Sequence, residues 1–414
     1  MVYASKVMCS LICIIYYITP KHQTMHTIHK LILSISILTG ITALIASTHR
    51  NTAQVVKPIA ATSNTIPKIQ VAILLDVSSS MDGLIDQAKA QLWNMVSVLG
   101  RAKCGTAQPT IEIALYEYGR STNQVSNGYI QQLNGFITSL DSVSDNLFKL
   151  TTNGGDEYCG QVIYKSINDL QWDAQANSYK VIFIAGNEDF LQGKIQYTAA
   201  CNLAKTKGII VNTIYCGPKL QGIKEHWNLG AECGAGSFTC ISTNATIDEP
   251  TTPQDSAIYV LNSTLNNTYV TYNSAAPAAQ AKQVRMDAAN ATLSKSAGIK
   301  RVLAKGKSNV YRNDDWDLVD AYAKDKNILR TMDKKALPDS LKNKTTTEIE
   351  TVIIQQQAQR NAVQAELDAL AKKRTAYLKE QILNKANGTT DANLEQEIEK
   401  IIKNQMLRFN MKID

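Results

Sequence analysis

Histidine is scarce in this chain, with five in 414 residues, at positions 22, 26, 29, 49 and 226. A histidine-built metal centre is therefore excluded from most of the sequence. A Ser-His-Asp arrangement would have to use His226, which stands beside Trp227 and reads as structural. No Cys-x-x-Cys pair occurs, which argues against a structural zinc site. Gly-x-Ser-x-Gly, His-Glu-x-x-His, a phosphate-cradling Walker loop and a dinucleotide glycine fingerprint are all missing. Gly234-Ala235-Gly236 leads into a strand-like run rather than a helix, so it reads as a turn. The chain is thus not expected to be an enzyme. The net charge is only +7, and the basic residues do not gather into a run interleaved with aromatics, so no nucleic-acid partner is expected. No apolar run reaches the ~20 residues that a membrane-spanning helix needs.

Two shorter apolar stretches stand near the start, Val7–Ile18 and Leu31–Ala46. The second follows Met25-His26-Thr27-Ile28-His29-Lys30 and runs into small residues at Ala46, Ser47 and Ala53, the layout of a secretory signal. Residues 1–47 are read as a targeting segment, with Met25 as an alternative start. Residues 48–67, rich in Ala, Thr, Ser and Pro, are read as a linker. The expected location is outside the cytosol, periplasmic or extracellular. Membrane association is expected only if the apolar segment stays uncleaved. Cys104, Cys159, Cys201, Cys216, Cys233 and Cys240 form an even, clustered set, and none follows Cys240. In an exported chain that pattern points to disulfides, without choosing the pairing.

From Lys68 the pattern alternates. Ile69–Leu75 is an apolar strand ending at Asp76, and Gly83–Leu99 carries apolar residues at helical spacing. Thr110–Tyr116, Lys180–Ala185, Gly208–Tyr215 and a short Ser237–Ile241 read as further strands. Phe136–Leu150, Val162–Leu170 and Ile195–Lys205 read as helices. Apolar strands alternating with amphipathic helices predict a doubly wound, mainly parallel sheet with ligands at the strands' carboxyl ends. Residues 68–262 are assigned to this α/β domain and residues 263–414 to a mostly helical C-terminal region. There, Thr347–Ala386 carries a stripe of Ile349, Ile353, Val363, Leu367, Leu370 and Tyr377, interrupted by Gln356, Arg360 and Arg374. Asn387-Gly388 ends it and Asp391 opens another helix, which predicts a helical hairpin with coiled-coil character. Tyr311 and Trp316, in Asn309–Ala321, anchor either a packing patch or a partner surface.

Asp76-Val77-Ser78-Ser79-Ser80 brings a carboxylate and hydroxyls to one side of a strand-to-helix turn. These are hard oxygen ligands suited to Mg²⁺ or Ca²⁺. Here the sequence resembles the von Willebrand factor type A (VWA) family over roughly residues 68–260, matching the first part of its metal-ion-dependent adhesion site. The resemblance implies a Rossmann-like VWA fold, a metal held by Asp76, Ser78 and Ser80, and a protein partner. In the family a Thr of a second loop and an Asp of a third complete the site. The second loop here is Thr151–Glu157, with Asp156 at the expected Thr position. The third is Ile184–Asp189, with Gly186 at the expected Asp position and Glu188 and Asp189 following. The expected metal set is therefore Asp76, Ser78, Ser80 and Asp156, in a site either rearranged or retired. The function expected is an adhesion-type binding module. The alternatives are a scaffold working through the C-terminal helices and a metal-dependent hydrolase.

Overall fold

The computed structural model describes residues 66–81, 83–241, 249–385 and 394–413. The targeting segment, Met25, nearly all of the linker and the Asn387-Gly388 turn lie outside these residues. β1 (Lys68–Asp76) turns into α1 (Leu84–Leu99), and a short β2 (Ala102–Lys103) precedes β3 (Thr110–Tyr118), β4 (Gln131–Ile137) and α2 (Leu140–Phe148). Then come α3 (Cys159–Asp169), β5 (Tyr179–Gly186), α4 (Tyr197–Thr206), β6 (Ile210–Cys216), α5 (Lys219–Lys224), α6 (Trp227–Cys233) and β7 (Ala235–Ile241). The longer helices of the C-terminal region are α7 (Asp255–Asn266), α8 (Ala276–Leu293), α9 (Lys295–Lys305), α10 (Leu318–Lys324), α11 (Thr346–Lys385) and α12 (Leu394–Met406), followed by β8 (Lys412–Ile413).

The main sheet runs β4-β3-β1-β5-β6-β7. Every neighbouring pair is parallel except β3 and β4. This is the doubly wound architecture that the alternation predicts. β1 lies mid-sheet, so its side chains must be apolar on both faces. Ile69, Val71, Ile73 and Leu75 enter one core, and Ala72 and Leu74 the other. The second core is closed by α3 and α4, whose Val162, Ile163, Ala200 and Ala204 are fully buried, and by Trp227 of α6.

The first face is covered differently. α1 lies on it beside α2, and α9 packs on α1 while α8 packs on α2. One continuous apolar core joins Ile69 and Trp93 to Leu265, Ile299, Val302, Leu367, Ile402 and Met406. The Trp93 indole N–H donates to Asn290 Oδ1 at 2.7 Å, tying α1 to α8. α12 lies against α1 and β7, and β8 pairs antiparallel with β2. The two helices expected to form a hairpin thus pack chiefly on other elements, α11 on α7 and α10, and α12 on α1 and β7. Residues 65–414 make one compact unit.

The arginines that interrupt the α11 stripe belong to its buried face. Arg360 is 2 % exposed and pairs with Asp317 and Asp320, both at 2.7 Å, while its Nε–H donates to Thr268. Arg374 pairs with Glu249 and Asp255. Tyr311 and Trp316 are buried as well, Trp316 beside Tyr269, so that segment is a packing patch.

The expected disulfides are corrected here, since all six cysteines are free thiols. The sheet itself separates most of them. Cys216 and Cys104 face the α1 side, while Cys159 and Cys240 face the α3 side.

A candidate metal centre at the sheet edge

β1 delivers Asp76 to the carboxyl edge of the sheet, where three other loops meet it. The turn after β1 is folded by its own polar groups, for the Ser78 N–H donates to Asp76 Oδ1 at 2.8 Å and the Met81 N–H to the Ser78 carbonyl. The Val77 N–H donates to the Tyr118 carbonyl at the end of β3, and the Val77 carbonyl accepts from the Asn153 N–H of the second loop. Ser78 and Ser80 share a hydroxyl hydrogen bond of 2.8 Å, and the Ser80 hydroxyl donates to Asn187 Oδ1 of the third loop at 2.9 Å.

Two glycines allow this convergence. Gly119 has φ +81°, and a Cβ there would stand 2.7 Å from Asp76 Oδ1 and 3.1 Å from Glu157 Cγ. A Cβ on Gly155 would lie 2.5 Å from the Gly119 carbonyl oxygen, so the β3 loop and the second loop touch backbone to backbone.

The second loop then presents Glu157 inward. Glu157 is 7 % exposed, against the Asp76 side. Asp156, the residue expected from the sequence, is exposed, and its Oδ2 accepts from the Tyr158 hydroxyl at 2.9 Å. Neither acid caps α3, whose N-cap residue is Tyr158. No local feature of the sequence separates the two neighbouring acids. The choice follows from the loop's path, which Gly155 sets against Gly119.

Asp76 is fully buried, and its Oδ2 has no hydrogen-bond partner among the described residues. Burial lifts its carboxyl to about 6, against the lowering effect of the Ser78 hydrogen bonds. Burial, then the charges of Asp76 and Glu188, lift Glu157 to about 8. Two acids that resist ionising side by side, with one oxygen unpartnered, form a sheet edge suited to a cation. Among the described residues no three His, Cys, Asp or Glu side chains cluster closely enough to hold a metal on their own. A cation here would depend on the Ser78 and Ser80 hydroxyls as well.

The third loop lacks a carboxylate at Gly186 for a steric reason. A Cβ at Gly186 would stand 2.6 Å from the Tyr118 hydroxyl, 3.0 Å from the Trp227 ring and 3.1 Å from Asp76 Cβ. Tyr118 and Trp227 are fixed, the first donating to the Ala185 carbonyl at 3.0 Å and the second to the Glu188 carbonyl at 2.7 Å. Gly186→Ala is expected to cost about 1–3 kcal/mol from overpacking, and Gly186→Asp more, because it adds a buried charge. Urea unfolding checks this. A Gly186→Asp protein as stable as the parent would show that the site has room for the missing acid.

His226 stands near this edge in the left-handed region, φ +64°, and its Nδ1 lies 3.0 Å from Asp189 Oδ1. With the Phe190 N–H donating to the Glu225 carbonyl, it pins the third loop to the turn before α6. Its role is to position that loop.

No family model matches the chain, and no curated protein matches it. Among solved structures it is similar to the SpRpn10 VWA domain, at 11% identity over 44% of this chain and 91% of that one, with a TM-score of 0.34. It is similar to BatB from Bacteroides thetaiotaomicron at 14% identity over 42% and 90% of the chains, TM-score 0.32. Proximal thread matrix protein 1 from the mussel byssus, in a form with a zinc-occupied MIDAS motif, matches at 15% identity with a TM-score of 0.32. The match covers 43% of each chain, less than half of the mussel protein's length. The chain itself has a mainly parallel, doubly wound sheet between helical layers and an Asp-x-Ser-x-Ser turn after β1.

Proposed function

We propose that the chain is an exported protein-binding module whose sheet edge holds Mg²⁺ or Ca²⁺. The observation that carries this reading is the buried, unpartnered Oδ2 of Asp76 with Ser78, Ser80 and Glu157 around it. Asp76 and Glu157 would supply the charge and the two serine hydroxyls the neutral oxygens. Asp156 would join only by releasing Tyr158. The cation would supply a positive centre to which a partner's oxygen can bind. Two ionised carboxylates offset its charge, so a neutral oxygen or a weakly held acid on the partner suits this edge better than a strong acidic anchor. The reading is one of binding rather than catalysis. A scaffold built on free C-terminal helices is less well supported, because those helices are packed into the core of the sheet's first face.

The acids give this reading a pH signature. Both carry folded-state values above those of the unfolded chain, 3.8 for Asp76 and 4.5 for Glu157. The folded protein therefore holds protons that the unfolded chain has released, and without cation its stability falls as pH rises from about 4 to about 8. Cation binding needs the ionised acids, so the stabilisation by Mg²⁺ or Ca²⁺ is expected to grow from pH 6 to pH 8.5. At a hundredfold excess over Kd the melting temperature should rise by roughly 5 °C at the upper end. Asp76→Ala should abolish the response. Identical melting with cation and with chelator at pH 8.5 would overturn the metal reading.

A further inference from the structure

The sheet puts Cys104 and Cys216 on its α1 side and the other four thiols on its α3 side, where Cys201 and Cys233 stand on neighbouring helices. Cys201 lies on α4 and Cys233 is the last residue of α6, and these two helices pack against each other on the same face of the sheet. The Cys201 thiol lies 3.7 Å from the Gly230 carbonyl, one turn before Cys233 on α6, and the neighbouring Cys233 thiol adds to burial in raising its pKa. Cys201 is fully buried and Cys233 half-buried. The other four have no such neighbour. Cys159 is buried against the Tyr118 hydroxyl at 3.7 Å. Cys216 and Cys240 sit on adjacent strands but point to opposite faces. Cys104 lies at the edge of the other core, where β2 pairs with β8.

We infer that Cys201 and Cys233 are a redox-active pair, which a small disulfide oxidant converts to a single bond stapling α4 to α6, while the remaining four cysteines of this unit stay thiols. The exposure of Cys233 sets the order of events. Its thiolate attacks the oxidant's disulfide, forming a mixed disulfide and releasing one small thiol. Cys201 then gives up its proton and attacks the Cys233 sulfur, forming the intramolecular bond and releasing the second small thiol. In sum, one disulfide and two protein thiols become one protein disulfide and two small thiols. Burial holds the Cys201 thiol well above its ordinary range, so the second step is the slower one. α6 carries Trp227, which backs Gly186 and donates to the Glu188 carbonyl. The staple would therefore fix the wall behind the third loop.

The test is peptide mapping of the full-length chain, reduced, then incubated with oxidised glutathione and digested with trypsin and chymotrypsin without reduction. The expected result is a crosslinked peptide pair joining Cys201 to Cys233, two hydrogens lighter than the reduced pair, with the melting temperature raised by about 5 °C. Cys233→Ser should melt like the reduced parent and show neither the crosslink nor the shift, while Cys240→Ser should show both. Because Cys233 is half-buried, its serine variant tests the idea even if Cys201→Ser does not fold. Glutathione left attached at Cys233 with no crosslink, or Cys201 linked to any other cysteine in comparable yield, would overturn the inference.

Discussion

Residues 68–262, produced without the helical region, are expected to fail as an independent fold. They contain every strand of the main sheet, yet the α1 side of that sheet is closed by helices beyond residue 262. Leu265, Ile299, Val302, Leu367, Ile398, Ile402 and Met406 are all buried in the core that β1 and α1 share. At about 1.5–3 kcal/mol for each such buried side chain, their loss exceeds ~10 kcal/mol, comparable to the whole stability of a domain. Polar links would go with them. Gln405 accepts from the Tyr179 hydroxyl at 2.8 Å and exchanges hydrogen bonds with the Asn212 amide, deep under β5 and β6. Near-ultraviolet circular dichroism and a thermal scan of the fragment provide the check. A cooperative melt near that of the full chain would show that the sheet closes its own core.

Arg301→Ala is expected to destabilise the protein by about 3–5 kcal/mol, among the largest effects of any single side chain. The guanidinium is fully buried between α9, α8 and α2. It pairs with Asp287 at 2.6 Å and Asp141 at 2.8 Å, donates to the Gln283 carbonyl, and lies 4.8 Å from the centre of the Trp93 ring. Asp141 also accepts from the Tyr311 hydroxyl, and Asp287 pairs with the fully buried Lys305. Removing one cation leaves two buried carboxylates with less compensation. The charges also fix an acid limit. Lys305 and Arg301 hold Asp287 at about 2, below its unfolded 3.8, so that stability is present above pH 4 and lost as pH falls toward 2. In Arg301→Ala the acid transition should move to higher pH. Urea unfolding at pH 7 and an acid titration of both proteins measure the two effects, and an unchanged urea midpoint would show that the cluster reorganises at little cost.

The strands of the sheet interior were legible because each is apolar on both faces, as in Ile69–Leu75 and Lys180–Ala185. β4 was not. Gln131, Gln132 and Asn134 lie on an edge strand with a register shift, where one side meets water, so the stretch reads as a loop entering the helix at Phe136. Over α8 and α9 the apolar periodicity is weak because these helices bury charge as well as apolar surface, through Asp287, Arg301 and Lys305. Arg360 and Arg374 broke the α11 stripe for the same reason, since a buried ion pair has no hydrophobic signature. At the site, the Asp76, Ser78 and Ser80 turn was readable from type and spacing alone. Glu157 was not, because facing Asp76 is a property of how two loops cross at Gly119 and Gly155.

The pairing of β2 with β8 has a consequence for synthesis. Ala102 meets Ile413 and Lys103 meets Lys412, so about 300 residues separate the two halves of one small ribbon. At the ~5–20 residues per second of a ribosome, the first partner waits roughly 15–60 s for the second. Until α8, α9, α11 and α12 have followed, the α1 side of the sheet is only partly covered. A nascent chain in this condition exposes apolar surface that a holding chaperone can bind.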